Sequence, residues 1–167
     1  MIYFLCMEYK FKKGITSTQI DQLVEYSKTD PAVLKFTSDP IRFKDKKSAT
    51  KWLEGVTPYT LSDNTGNLLG ITWFHEKPLP ERVFSENLSS SDFPLTFAIR
   101  IYGEARGKGM GFDFMKKSFE EYKPENVWIE TSFDNIPTIK LAEKFGFEKV
   151  SEPDERGKII MILKNPL

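Results

Sequence analysis

Apolar and polar positions follow two different periods along the chain. An apolar run at 2–7 continues through Tyr9 and Phe11 with polar residues between them, which reads as a buried strand. The period then lengthens: Ile20, Leu23 and Val24 recur at helical spacing until Pro31, predicting a helix over 17–28. Thr16 and Gln19 stand ahead of it at the spacing of a capping box. A second helix is expected over 46–54, with Ala49, Trp52 and Leu53 inward and Gly55 as its stop, while 30–45, with two prolines, reads as irregular. Strands at 59–61 and 68–74 flank Asp63-Asn64-Thr65-Gly66-Asn67, where Asn and Gly tolerate the positive φ angles of a hairpin turn. The polar stretch 75–94 is, at about 20 residues, longer than an ordinary loop, so it reads as a functional flap, a mobile segment or a tolerated surface insertion.

The second half is denser in signal. A strand at 95–102 leads into a glycine-rich turn at 103–111, then a helix over 111–122 carrying Phe112, Met115, Phe119 and Tyr122 on one stripe. After Pro124 come a strand at 127–131 and a helix from Asn135 to Phe145, with Pro137 in its first turn and Gly146 as its stop. A closing hairpin pairs 148–151 with 158–163 around 154–157. The order β-α-α-β-β-β-α-β-α-β-β mixes hairpins with a β-α-β crossover, so the fold class is α/β (α+β), with a mixed sheet and helices on both faces.

Composition narrows the classes. At 167 residues, 40% of them hydrophobic and 14 of them Phe, the chain fits a single domain over 1–167 with a real core. Lys and Arg (24) balance Asp and Glu (24), which argues against broad binding of nucleic acid or of an anionic membrane surface. A lone Cys6 and a lone His75 exclude an internal disulfide and clustered Cys or His ligands, so no metal is expected. The apolar runs fall far short of the ~20 residues that span a bilayer, and no basic segment precedes the first, so the expected setting is cytoplasmic.

The sharpest feature is Arg106-Gly107-Lys108-Gly109-Met110-Gly111, between a strand and a helix. Three glycines let backbone approach a ligand closely, and the free N–H groups at the next helix's start favour an anion. Arg106 and Lys108 add charge beside it, so a phosphate or pyrophosphate is the natural occupant. A nucleotide P-loop is absent, and the dinucleotide fingerprint fits poorly because its third glycine would fall on Phe112.

Arg106, Gly109 and Gly111 fit the pattern Q/R-x-x-G-x-G/A, and 135–147 is similar to N-x-x-A-x-x-L-Y-E-K-x-G-F. Together, each after a strand, these motifs resemble the GCN5-related N-acetyltransferases (GNAT superfamily), closely over 95–150 and in element order over the whole chain. The resemblance implies one mixed, mostly antiparallel sheet of about six or seven strands with a splayed strand pair. It also implies acetyl-CoA as co-substrate: the pyrophosphate on residues 106–111, the pantetheine arm against the backbone of Ile99 and Ile101, and Asn135 nearby or serving as a plain helix cap. The implied activity is acetyl transfer to an amine of a small molecule or peptide by direct attack, in a monomer or homodimer.

Such a transfer needs a base for the amine, donors for the carbonyl oxygen and a proton for the thiolate. A backbone N–H near Ile101 serves the second need. For the third the family commonly uses a tyrosine, but the matching position here is Ala142. Tyr102, Ser132 or water could substitute, the thiolate could leave unassisted, or the chain could be a non-catalytic acyl-CoA-binding or regulatory module. Glu130 is the first candidate base and His75 the second; Glu104 reads as solvated, and Cys6 is too apolar in setting to act as a nucleophile. Tyr26, Phe36, Phe43 and Trp52 populate the region where this fold seats its acceptor, although large aromatics there are more often core.

Overall fold

In the computed structural model, residues 8–166 are described, and the side chain of Glu104 is outside that description. The expected strand at 2–7 and Cys6 therefore lie outside the described residues; its continuation forms β1 (Lys10–Lys13). The chain then runs through α1 (Ser17–Thr29), α2 (Pro31–Phe36), α3 (Asp39–Arg42), α4 (Lys46–Leu53), β2 (Thr57–Ser62), β3 (Leu68–Glu76), β4 (Leu95–Ile101), α5 (Met110–Tyr122), β5 (Asn126–Ser132), α6 (Ile136–Phe145), β6 (Glu148–Lys149) and β7 (Lys158–Lys164).

The capping box closes as its spacing requires: the Gln19 N–H donates to Thr16 Oγ1, and the Thr16 N–H donates to Gln19 Oε1. The region 30–45 departs from expectation, because it holds two short helices. Its prolines start them rather than break them. Pro31 and Pro40 occupy first-turn positions, where a missing N–H costs nothing, and Asp30 accepts hydrogen bonds from the N–H groups of Ala32 and Val33.

The seven strands of the described residues form one sheet in the order β1-β2-β3-β4-β5-β7-β6. Every neighbouring pair is antiparallel except β4 with β5, which is parallel. Strand alternation splits the core in two. On one face Phe97 of β4, Val127 and Ile129 of β5 and Met161 of β7 pack under α5 and α6. On that side the buried stripe of α5 is Phe114, Met115, Ser118 and Phe119; Phe112 and Tyr122, expected inside, are only half buried. The helix meets α6 as well as the sheet, and Phe112 leans edge-on against Phe145 instead.

The opposite face is covered in two separate patches. Leu23, Val33, Phe43 and Leu53 from α1–α4 pack on Ile71 and Trp73 of β3. The segment between β3 and β4 supplies Leu79, Val83 and Phe93, which bury against Trp128, Ile160 and Ile162 of β5 and β7. This segment is thus more than a bare surface insertion: it carries its own apolar anchors, and its Lys77 carbonyl accepts the Trp128 indole N–H. Ground between the two patches is left uncovered.

Asp30 ties three elements together. Besides capping α2 it accepts two 2.7 Å bonds from the Arg106 guanidinium and one from the Gly103 N–H, anchoring the glycine turn to the helical layer. Burial alone would raise its carboxyl, but Arg106 and the backbone donors outweigh burial and hold it below the ordinary aspartate range. A lowered folded-state value means stability present above about pH 4 and lost as the pH falls further. Asp30→Ala should therefore cost roughly 2 kcal/mol in urea unfolding at pH 7, combining a lost cap with a half-exposed ion pair. The deficit should shrink as the pH drops below about 4, where the native carboxyl also protonates; a deficit constant from neutral pH to pH 3 would contradict the assignment.

Candidate functional site

β4 and β5 pair at only two positions, Leu95 with Val127 and Thr96 with Trp128. Beyond them β4 stays with β3 as far as Ile101, and β5 stays with β7 as far as Ser132, so the two strands part. The Tyr102 N–H donates to the Leu69 carbonyl just past the end of β3 pairing. Antiparallel alternation then aims the N–H and C=O groups of Ile99 and Ile101 away from β3, into the opening. The two carbonyls are met by guanidinium donors, Arg100 to Ile99 at 3.0 Å and Arg106 to Ile101 at 2.9 Å.

A cavity of about 610 Å³ runs through this opening from one face of the sheet to the other. Its α5/α6 side is apolar, with Phe97, Ile99, Ile101, Ile129, Leu141 and Ala142 along the wall. The other side is aromatic and charged: Trp52, Trp73, His75, Arg100, Trp128, Glu130 and Lys158. This is the ground that the two apolar patches leave open.

The glycine turn sits at the far end of the opening. Gly107, Gly109, Met110 and Gly111 line the cavity, while Lys108 is exposed beside it. Gly107 (φ 78°) and Gly109 (φ 76°) are left-handed, and a Cβ built on either would meet nothing within 4 Å, so their faces are open. Gly109 caps α5 without a side chain, leaving the first N–H groups of that helix to an outside partner. Among the described residues none accepts a hydrogen bond from the N–H of Gly107, Lys108 or Gly109. Gly111 has a second role, since a Cβ there would come within 3.2 Å of Leu141; it lets α5 and α6 close together. The charge of Arg106 is already matched by Asp30, which leaves the backbone N–H groups and Lys108 as the positive groups of this turn.

The expected chemical groups separate into those the fold brings together and those it does not. His75 and Glu130 both line the charged side of the cavity, and Asn135 lines it at the start of α6. Asn135 occupies the N-cap of α6, but its side chain makes no capping bond, which sets aside its reading as a plain helix cap. Tyr102 is placed elsewhere. It is 2% exposed, stacks on Tyr26 at 4.3 Å, is absent from the cavity wall, and burial raises its hydroxyl well above the ordinary tyrosine value. Of the acceptor-side aromatics, Phe43 and Tyr26 pack in or against the core, whereas Phe36 and Trp52 reach the cavity. Burial, together with the nearby cations Lys77 and Arg42, lowers the His75 imidazole below its ordinary value against the pull of Glu76. Glu130 accepts hydrogen bonds from Arg156 at 3.1 Å and Arg82 at 3.4 Å, so two guanidiniums already hold its carboxylate.

Several site residues have only faint signals in the sequence. Arg100 lies within the apolar strand LTFAIRI, and such an arginine demands a counter-charge; the partner is Asp39, fully buried, at 2.7 Å, with Arg42 on the same carboxylate at 2.6 Å. Lys158 opens the apolar β7 and turns inward, donating to the Ser132 Oγ at 2.7 Å and the Phe36 carbonyl at 3.0 Å; burial lowers its ammonium below the usual value, opposed by Glu130.

No family model matches the chain, and no curated protein matches it either. Solved structures do. The chain is 16% identical to an N-acetyltransferase from Staphylococcus aureus Mu50, with a TM-score of 0.71 over 94% of this chain and 98% of that one. It is 16% identical to yncA of Salmonella typhimurium, solved with its cofactor acetyl-CoA, with a TM-score of 0.71 over 93% of both chains. With the aminoglycoside acetyltransferase AAC(6')-Ib, in complex with coenzyme A and kanamycin, the values are 18% and 0.67, over 94% and 95%. At these identities the likeness is one of architecture: the chain has the fold of the GCN5-related N-acetyltransferases.

Proposed function

We propose that this protein is an N-acetyltransferase that carries an acetyl group from acetyl-CoA to the amine of a small molecule or peptide, without a covalent enzyme intermediate. One observation carries the reading: two parallel strands part after two residue pairs, and a glycine turn whose N–H groups have no acceptor among the described residues stands at the end of the opening. The residues fit the co-substrate. The open faces of Gly107 and Gly109 and the N-terminus of α5 suit a diphosphate, and the N–H groups of Ile99 and Ile101 suit an extended arm that bears amides. When bound, acetyl-CoA supplies an activated thioester.

The protein's own groups then have distinct tasks. His75 is the better base of the two candidates: its imidazole is neutral at pH 7, whereas Glu130 is committed to Arg82 and Arg156. It pairs across with Thr96, the last residue before the strands part, and so stands beside the apex of the opening. The gap-facing N–H groups of β4 offer fixed dipoles for a carbonyl oxygen as it gains charge. Tyr102 and Ser132 do not line the cavity, and Ala142, which does, has no proton to give. Protonation of the leaving sulfur falls to water, which is tolerable because thiols titrate near ~8.5. Ala142 is also the observation that favours the second reading, a domain that binds acyl-CoA without turnover.

Thiol release from acetyl-CoA over a broad amine panel, beside calorimetry with CoA, separates the two: release supports the transferase, and tight binding with no release on any amine supports the binding module. Gly109→Val should weaken CoA by at least tenfold, ~1.4 kcal/mol, with an unchanged far-UV spectrum. Unaltered affinity would remove the glycine turn from the site. His75→Gln should lower kcat about 10²-fold or more while leaving the CoA Kd intact. In the unaltered protein kcat/KM should fall as the pH drops below about 6.5, because a base with a lowered value protonates only there; a falling limb that survives His75→Gln assigns the base to another group.

A further inference from the structure

The acceptor half of the cavity has a charge pattern that constrains what can enter it. Among the described residues lining the whole cavity, Glu130 is the one carboxylate, against seven lysines and arginines. The carboxylates that meet these cations are already paired. Asp39, 1% exposed, is held by both Arg42 and Arg100. Glu130 and Asp154 share Arg82 and Arg156, and Lys158 stands on the same ground with its charge opposed chiefly by Glu130. Lys77 adds another cation over the ring of Trp128, 5.5 Å from its centre.

Lys158 also has a donor to spare. An ammonium has three N–H bonds, and among the described residues two are accepted, at Ser132 and Phe36. A positive group held in a partly buried site with one unused donor and a shortage of anions is a built receptor for an incoming carboxylate or phosphate. Arg42 lines the same cavity, its guanidinium 4.8 Å from the Trp52 ring and within hydrogen-bond distance of Asp39.

We infer that the acceptor is a small amine that also bears an anionic group, of the amino-acid or phosphorylated-amine type, seated by Lys158 with Arg42 while its nitrogen faces His75. A polycation such as an aminoglycoside would find no uncommitted carboxylate there and would meet Arg42, Lys77 and Lys158 instead. This rests on the acetyltransferase reading and adds the class of substrate to it.

The test compares matched acceptors that differ in charge. With CoA present, binding of N-acetylated amino acids is measured by calorimetry against the corresponding N-acetylated carboxamides, with a phosphorylated amine and kanamycin as further arms. Thiol release from acetyl-CoA is followed with the free amines. The acids or the phosphate should bind at least tenfold more tightly than the carboxamides, and the better of the two identifies the anionic group. Lys158→Gln keeps a hydrogen-bonding chain of similar reach, and should erase most of this discrimination while leaving CoA binding and the affinity for carboxamides unchanged. Arg42→Met, which leaves Asp39 paired to Arg100, should reduce the discrimination in the same direction. Equal binding of acid and carboxamide, or preference for kanamycin, overturns the inference and leaves the acetyltransferase reading standing. Failure of the unaltered protein to bind CoA overturns both.

Discussion

A backbone N–H or C=O withdrawn from its neighbour must find another partner, and the sheet leaves such groups open where β4 and β5 part. Past Thr96 and Trp128 each strand keeps its outer neighbour and abandons the inner one. The gap-facing carbonyls of Ile99 and Ile101 are met by arginine side chains, while the N–H groups beside them look into a cavity. An opening of this kind suits an extended ligand with its own donors and acceptors. It also joins two faces that the sheet would otherwise separate, so that a ligand threaded from the α5/α6 side can meet another arriving from the side of α1–α4.

Holding the strands apart requires support on both flanks. On one flank, Asp30 clasps Arg106 and Gly103 and fixes the glycine turn to the start of α2. On the other, the β3–β4 segment buries Leu79, Val83 and Phe93 on β5 and β7, and its Arg82 reaches Glu130. The same construction explains the division of chemistry. Alternation along the strands puts Phe97, Ile99 and Ile129 toward α5 and α6, and Ala98, Arg100, Trp128 and Glu130 toward the opposite side. An apolar wall and an aromatic, charged wall are thus two sides of one pair of strands.

Local patterns make much of this architecture legible in the chain. The capping box at Thr16, the hairpin turn at 63–67 and the glycine turn all depend on neighbours within a few residues, and each is present. The short helices within 30–45 escape a reading in which proline breaks a helix, since at a first-turn position proline is compatible with one. The half-buried Phe112 and Tyr122 depart from a stripe that counts helical periods but not which neighbour lies across each face. Tyr102 follows the key strand and so reads as available to the thioester; its ring instead turns behind that strand to stack on Tyr26, a partner from a distant part of the chain.

The sequence by itself determined the order of the strands and longer helices and the glycine-bearing turn ahead of α5, since these depend on residue identity and short-range spacing. The tertiary structure alone decided which charges are matched and which are left over. Asp39 meets Arg100 and Lys158 meets Ser132 and Phe36 only because distant segments are packed together. A formal balance of 24 against 24 says nothing of where the positive excess gathers. Coulomb interactions follow distance in space, and distance along the chain does not encode it.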